Sequence, residues 1–132
     1  MTLFEFIDKA LEVPFKPRGR DYSGWDCFGS VFCFYRDVLK IELSENINYG
    51  TAKDYKEIKG LIDSEKNSWI KVDKYEVGDI CFYHVPRRVC HIGLIVGKNK
   101  VLHAEEKVGT FIEKLDGIMW GKKLEGVYRL NE

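Results

Sequence analysis

Several features are scarce in this chain of 132 residues. No apolar run approaches the 18 or more residues that a membrane helix needs, so no membrane-spanning helix is expected. The opening stretch MTLFEFIDKALEV is broken by Glu5, Asp8 and Lys9, so it does not read as a secretory signal. Synthesis and folding in a cytoplasm are expected, with any action outside the cell requiring a separate route of delivery. An excess of charge of one sign is also missing. Lys plus Arg and Asp plus Glu number 21 each, for a formal net charge of zero, which argues against a general nucleic-acid binder. The four cysteines, Cys27, Cys33, Cys81 and Cys90, form no CxxC, and the chain is not of the small secreted type that disulfides staple. There are three histidines, so any imidazole chemistry falls to His84, His91 and His103. Internal repeats and low-complexity tracts are absent, and no second domain is expected within these residues.

What is present suffices for one core. Hydrophobic residues make up 45% and aromatics 14% of the chain, consistent with a single domain over residues 1–132. Thr2 and Glu5 fit a capping box, and Leu3, Ile7, Ala10 and Leu11 follow at helical spacing. This first helix should reach about Leu11 and be ended by Pro14. Residues 14–25, PFKPRGRDYSGW, read as a loop. Asp26 then stands as N-cap to a second helix, with Cys27, Val31, Phe34, Tyr35 and Val38 on one face. After the linker ENINYG, a third helix is expected from Thr51, with Asp54 at N3 and Tyr55, Ile58, Leu61 and Ile62 buried. From Trp69 the period changes to two: WIKV, DICFYH, HIGLIV, KVLHA, TFIEKL and GVYRL are short strands. Helices first and strands later indicate an α+β fold with an antiparallel sheet.

Chemistry concentrates at Cys27. A thiol attacks as its thiolate, and a helix N-terminus favours that anion through unpaired N–H groups and the helix dipole. The same N–H groups suit an oxyanion. Gly29 would let this turn approach the sheet closely. A nucleophilic cysteine also needs a base oriented by a third polar group. His91 opens one strand and His103 lies near the end of the next. A three-residue loop Gly97-Lys98-Asn99 pairs Val96 with Lys100 and Gly93 with His103. His91 is then the diagonal neighbour of His103 on one face, roughly 7–8 Å away between Cα atoms. A two-residue loop Lys98-Asn99 puts the two on opposite faces. The residues permit both; a working site requires the first.

Four segments resemble the NlpC/P60 cysteine peptidases. Asp26-Cys27-Phe28-Gly29 is similar to the D-C-x-G signature, and Gly78-Asp79-Ile80 to the G-D-[LI] entry into the sheet. His91–Gly97, HIGLIVG, and Val101–Ala104, VLHA, resemble the two histidine strands. The order Cys, His, His matches, and the likeness covers most of residues 14–130. The segment GRDYSGWDCFG most resembles small phage or prophage tail-associated members. The resemblance implies a papain-like fold with N-terminal helices packed on the sheet, Cys27 as nucleophile, His91 as general base and acid, and His103 orienting it. It also implies hydrolysis of amide bonds in peptidoglycan stem peptides, commonly between D-glutamate and diaminopimelate or lysine, without metal or cofactor. A phage tail or other delivery protein is an expected partner. Two alternatives keep the same fold: a non-catalytic tail component that grips cell wall, and an amidase or acyltransferase.

There are departures and competing readings. Where many members carry an oxyanion-assisting tyrosine, twelve residues before the cysteine, this chain has Phe15, and Tyr22 is the nearby substitute. Phe28 and Ser30 replace the commoner small residue and leucine, which would reshape the cleft rim. Cys33, about 240° round the helix from Cys27, should be core. Cys81, His84, Cys90 and His91 include zinc-like C-x₂-H spacing, but Cys90 and His91 are adjacent on a strand and point to opposite faces. His84 should sit at a strand end or in the loop, solvated. Lys16, Arg18 and Arg20, with Arg87 and Arg88, either are plain surface or flank a cleft for acidic stem peptides. Trp120 and Tyr128 read as core or cleft wall.

Overall fold

The computed structural model describes residues 1–43, 69–85 and 89–131. The expected third helix, the linker ENINYG, and Arg87 and Arg88 lie outside the described residues.

The chain opens with α1, Leu3–Ala10, capped reciprocally by Thr2 and Glu5 as the capping box requires. Its buried face centres on Phe6 and Ala10, four residues apart, with Leu3 and Ile7 packed alongside. Leu11 is exposed instead, because the helix ends before it and its side chain leaves the stripe. Residues 14–25 are more ordered than the loop expected from their composition. Two two-residue strands, β1 (Arg20–Asp21) and β2 (Gly24–Trp25), pair antiparallel, and Phe15 bridges Trp25 in parallel. Strands this short carry no periodicity to read.

Helix α2, Cys27–Phe34, follows directly and continues as a π-helical turn, Tyr35–Leu39. All eight residues of α2 are buried, so the one-sided face expected from spacing becomes a helix covered all round. Cys33 is core, with its Sγ 3.1 Å from the Arg20 carbonyl.

The remaining strands are β3 (Trp69–Val72), β4 (Ile80–Val85), β5 (Val89–Gly97), β6 (Lys100–Glu105), β7 (Gly109–Glu113) and β8 (Leu124–Leu130). They form one antiparallel sheet in the order β3-β8-β4-β5-β6-β7. Helices before, antiparallel sheet after: the architecture is the α+β arrangement that the sequence pattern indicates. Alternation divides the sheet between two clusters. Ile80, Phe82, Ile92, Leu94, Leu102 and Ala104 join Phe6, Trp25, Cys27 and Phe34 in the main core. Cys81, Tyr83, Ile95, Val101 and Trp120 form a second cluster.

The β5–β6 connection combines both loops foreseen for it. Gly97 pairs Lys100, so the tip is the two-residue Lys98-Asn99, with Asn99 at φ +54°. The register then shifts between Ile95 and Gly97, and Ile95 pairs Val101 and Leu94 pairs Leu102. Val96 is the extra residue of a β-bulge, and it restores the register of the three-residue loop. One inserted residue thus reverses the parity that a two-residue tip imposes.

Candidate functional site

Asp26 builds the start of α2. Its Oδ1 accepts from the Gly29 N–H at 2.8 Å and from Arg20 Nη1 at 3.0 Å, and its Oδ2 accepts from the Arg18 N–H at 3.1 Å. The carboxylate is fully buried, and the Arg20 side chain is 9% exposed. Arg20 therefore neutralises the cap instead of flanking a cleft. Lys16 and Arg18 remain at the surface. A Cβ on Gly29 would lie 2.0 Å from the Gly19 carbonyl oxygen and 2.8 Å from Trp25 Cβ. The close approach that Gly29 permits is thus to the β1–β2 segment, not to the six-stranded sheet. Phe28 is buried with the Arg20 guanidinium 5.3 Å over its ring, so it belongs to the core and not to a cleft rim. The Ser30 hydroxyl donates to the Cys27 carbonyl at 2.8 Å.

Two tethers fix how α2 lies along the sheet. At its start, Trp25 Nε1 donates to Thr110 Oγ1 at 2.8 Å, and that hydroxyl donates to the Val13 carbonyl at 2.8 Å. Thr110 pairs Ala104 on β6, next to His103. At its far end, the Tyr35 hydroxyl donates to the Gly78 carbonyl, and the Gly78 N–H donates to the Ile95 carbonyl. Cys27 to Tyr35 spans about 12 Å of helix, and His91 to Ile95 about 13 Å of strand. The start of α2 is thus anchored beside Ala104 on β6, and its far end beside Ile95 on β5.

The two imidazoles meet. His91 Nε2 and His103 Nδ1 are 2.8 Å apart, and both rings are buried. Gly93 makes the room: a Cβ there would sit 2.5 Å from Val101 Cγ1 and 3.2 Å from His103 Cε1. Trp120 stacks on His91, with centroids 4.3 Å apart and planes at 20°. Phe111 stacks on His103 at 5.2 Å, and Tyr83 stands 5.7 and 5.5 Å from the two rings. Burial disfavours the imidazolium in both rings. It takes His103 down to about 4 and His91 well below the usual histidine value, the neighbouring His103 adding to the effect on His91. The resting pair is neutral at pH 7. His103 Nε2 is buried with no hydrogen-bond partner among the described residues.

The NlpC/P60 family model matches residues 12–129 of the chain. The chain belongs to the NlpC/P60 family. Among solved structures, this NlpC/P60 chain is similar to the NlpC/p60 domain of the peptidoglycan hydrolase SagA. Identity is 16%, with 98% of this chain and 99% of that one covered and a TM-score of 0.62. It is also similar to a lipoprotein-like NLP/P60 protein of Staphylococcus aureus (19% identity, TM-score 0.65) and an NlpC/P60 protein of Bacillus cereus (17%, TM-score 0.65). In both, 98% of this chain matches 41% and 40% of the other, so it spans about two fifths of their length. At these identities the likeness establishes the shared fold. A search of curated proteins finds no match.

Other predicted residues fall elsewhere in the NlpC/P60 frame. Tyr22 does not offer its hydroxyl to the start of α2. It donates to Asp37 Oδ2 at 2.6 Å, beyond the far end of that helix, and burial and the Asp37 carboxylate raise its pKa. Phe15 bridges Trp25 and brings no hydroxyl. His84 lies one residue from the end of β4, opposite Cys90, and is half-buried. Cys81 is buried beside Tyr83, its thiol pushed up to about 12 by burial. Asp79 of the G-D-I motif is structural: Arg129 donates to both its carboxylate oxygens at 2.8 Å. Gly78 precedes it at φ +98°, a conformation that favours glycine. Tyr128 packs against the core, its hydroxyl donating to the exposed Glu125 carboxylate. Thr110, Tyr83 and Phe111 escape sequence reasoning because no local pattern marks them.

Proposed function

We propose that this chain is a cell-wall hydrolase of the NlpC/P60 type, a cysteine endopeptidase acting on peptidoglycan stem peptides. The observation that carries the reading is the buried His91–His103 hydrogen bond at 2.8 Å, in a chain that also puts Cys27 in the first turn of a capped helix. Family membership and the likeness to a domain named as part of a peptidoglycan hydrolase support it.

In this reading Cys27 is the nucleophile and His91 the base. For Nδ1 of His91 to accept the thiol proton, its Nε2 carries hydrogen and donates to His103 Nδ1, which fixes the tautomer. Burial disfavours the imidazolium, so His91 rests as a free base able to take the thiol proton as the sulfur attacks. The attack forms the C–S bond and an oxyanion held by N–H groups at the start of α2. His91 then returns the proton to the leaving amine as the C–N bond breaks, and water attacks the acyl-enzyme to release the acid. Cleavage between D-glutamate and diaminopimelate or lysine is the specificity proposed. Arg87 and Arg88 are proposed to pair with stem-peptide carboxylates, and residues 1–132 to form one catalytic domain needing no metal or cofactor. Delivery to the wall as a phage tail component is proposed from the segment GRDYSGWDCFG alone.

The test is digestion of purified peptidoglycan with mass analysis, wild type against Cys27→Ala. New muropeptides from wild type alone are expected; none from either would sink the reading. Phe15 brings no hydroxyl and Tyr22 gives its own to Asp37, so neither serves the oxyanion, which favours a second reading as a non-catalytic wall-binding module. Alkylation by iodoacetamide separates the two: labelling of Cys27 that slows in His91→Ala supports catalysis, and equal rates support the binding module.

A further inference from the structure

Trp120 sits between β7 and β8, in a segment with Gly117 and Gly121 and beside an exposed tip formed by Ile118 and Met119. Its own ring is only 6% exposed. Its plane lies nearly parallel to all parts of the imidazole pair, at 20° to His91 and 18° to His103, with centroids 4.3 and 6.4 Å away. Two carboxylates hold it there. Glu105 Oε2 accepts from the indole Nε1 at 3.2 Å, and Glu113 Oε1 accepts from the Trp120 backbone N–H at 3.1 Å. Glu105 is two residues past His103 on β6, so the strand that brings one imidazole also anchors the indole covering the other.

We propose that Trp120 is a positioning residue that shuts water away from the His91–His103 hydrogen bond and holds the His91 ring in its working orientation. The proposal rests on the catalytic reading above for its consequence in turnover, but not for its geometry. A face-on indole occupies one side of the His91 ring, so the imidazole cannot rotate about χ2 without displacing it. It also removes the water that would otherwise compete for Nε2 and solvate the imidazolium. The other groups facing His91 are His103 on β6, Tyr83 and, one pair along, Cys81 on β4. Lys123 Nζ lies 5.0 Å from the Trp120 centroid, and Glu105 and Glu113 hold the indole. Among these, none places a carboxylate against the His91 ring itself in the described residues, so desolvation, with His103 adding to it, lowers its proton affinity.

The experiment is a histidine NMR titration of the full chain in wild type, Trp120→Ala and Trp120→Phe. It is combined with pH profiles of kcat/KM on purified peptidoglycan. Removing the indole admits water, so the His91 titration moves to higher pH in Trp120→Ala, and less in Trp120→Phe, which keeps a stacked ring but not the anchor to Glu105. In the same order the acid limb of kcat/KM moves upward, with about a tenfold loss below it and KM within about twofold of wild type. An unchanged His91 titration in either folded variant overturns the proposal and reduces Trp120 to packing. Should Trp120→Ala not fold, Trp120→Phe decides alone. The titration needs no turnover. A shifted His91 with no hydrolysis by wild type therefore sinks the catalytic reading and leaves the positioning role standing.

Discussion

His103 offers the sharpest thermodynamic test. Its ring is completely buried, and burial takes it from 6.5 to about 4. The unfolded chain therefore binds a proton near pH 6.5 that the folded chain refuses until about pH 4. Between those values the unfolded state carries more protons, so stability falls as pH is lowered. Full stability from this group is present above pH 6.5 and is lost progressively on acidification. One proton of difference is worth about 1.4 kcal/mol per pH unit and the unfolded ring is half protonated at pH 6.5, so His103 accounts for about 2 kcal/mol between pH 6.5 and 4.5. His91, lowered for the same reason, adds a change of the same sign. Above pH 4.5 Asp37, held low at about 2 by Arg36, stays ionised and does not confound the slope. Urea unfolding of wild type and His103→Asn at half-unit steps from pH 7.5 to 4.5 measures the effect. The variant should be less stable at pH 7 yet lose about 1.4 kcal/mol per pH unit less on acidification. Parallel slopes would refute a buried neutral imidazole at position 103.

Asp26→Ala removes the N-cap and leaves Arg20 buried without its carboxylate, so unfolding free energy should drop by about 3–5 kcal/mol, with Asp26→Asn milder. Gly29→Ala drives a Cβ into the Gly19 carbonyl at 2.0 Å; thermal melts should show a loss of many degrees, and a near-native melting temperature would contradict the packing. Gly93→Ala presses on Val101 and His103, so hydrolysis should fall far more than stability does, as activity and urea midpoint measured together would reveal. Asn99→Val puts a β-branched residue at φ +54° and loses the bond from the Leu115 N–H to Asn99 Oδ1, costing about 2–3 kcal/mol in chemical denaturation.

Local chemistry alone marked much of this molecule. Thr2 with Glu5, and Asp26 before a run of apolar residues, signal helix starts because capping depends on residues three positions apart. The change of period at Trp69 marks strands because side chains alternate along any strand. The same residues flagged Cys27, His91 and His103, and the resemblance they carry pointed to the right family. Other features required the folded chain, since they join residues distant in sequence. The parity bringing His103 to His91 was open in the sequence, because a hairpin tip and a bulge each shift register by one; packing of Val96 settles it. Arg20 looked like a surface cation until the fold set it against Asp26. Tyr22 looked available until Asp37 took its hydroxyl. The neutrality of the imidazoles comes from Trp120, Phe111 and Tyr83 excluding water, and desolvation is a property of three-dimensional surroundings. Sequence determined the fold class and which groups are proposed to carry the chemistry; tertiary structure decided which of them meet, and in what solvent.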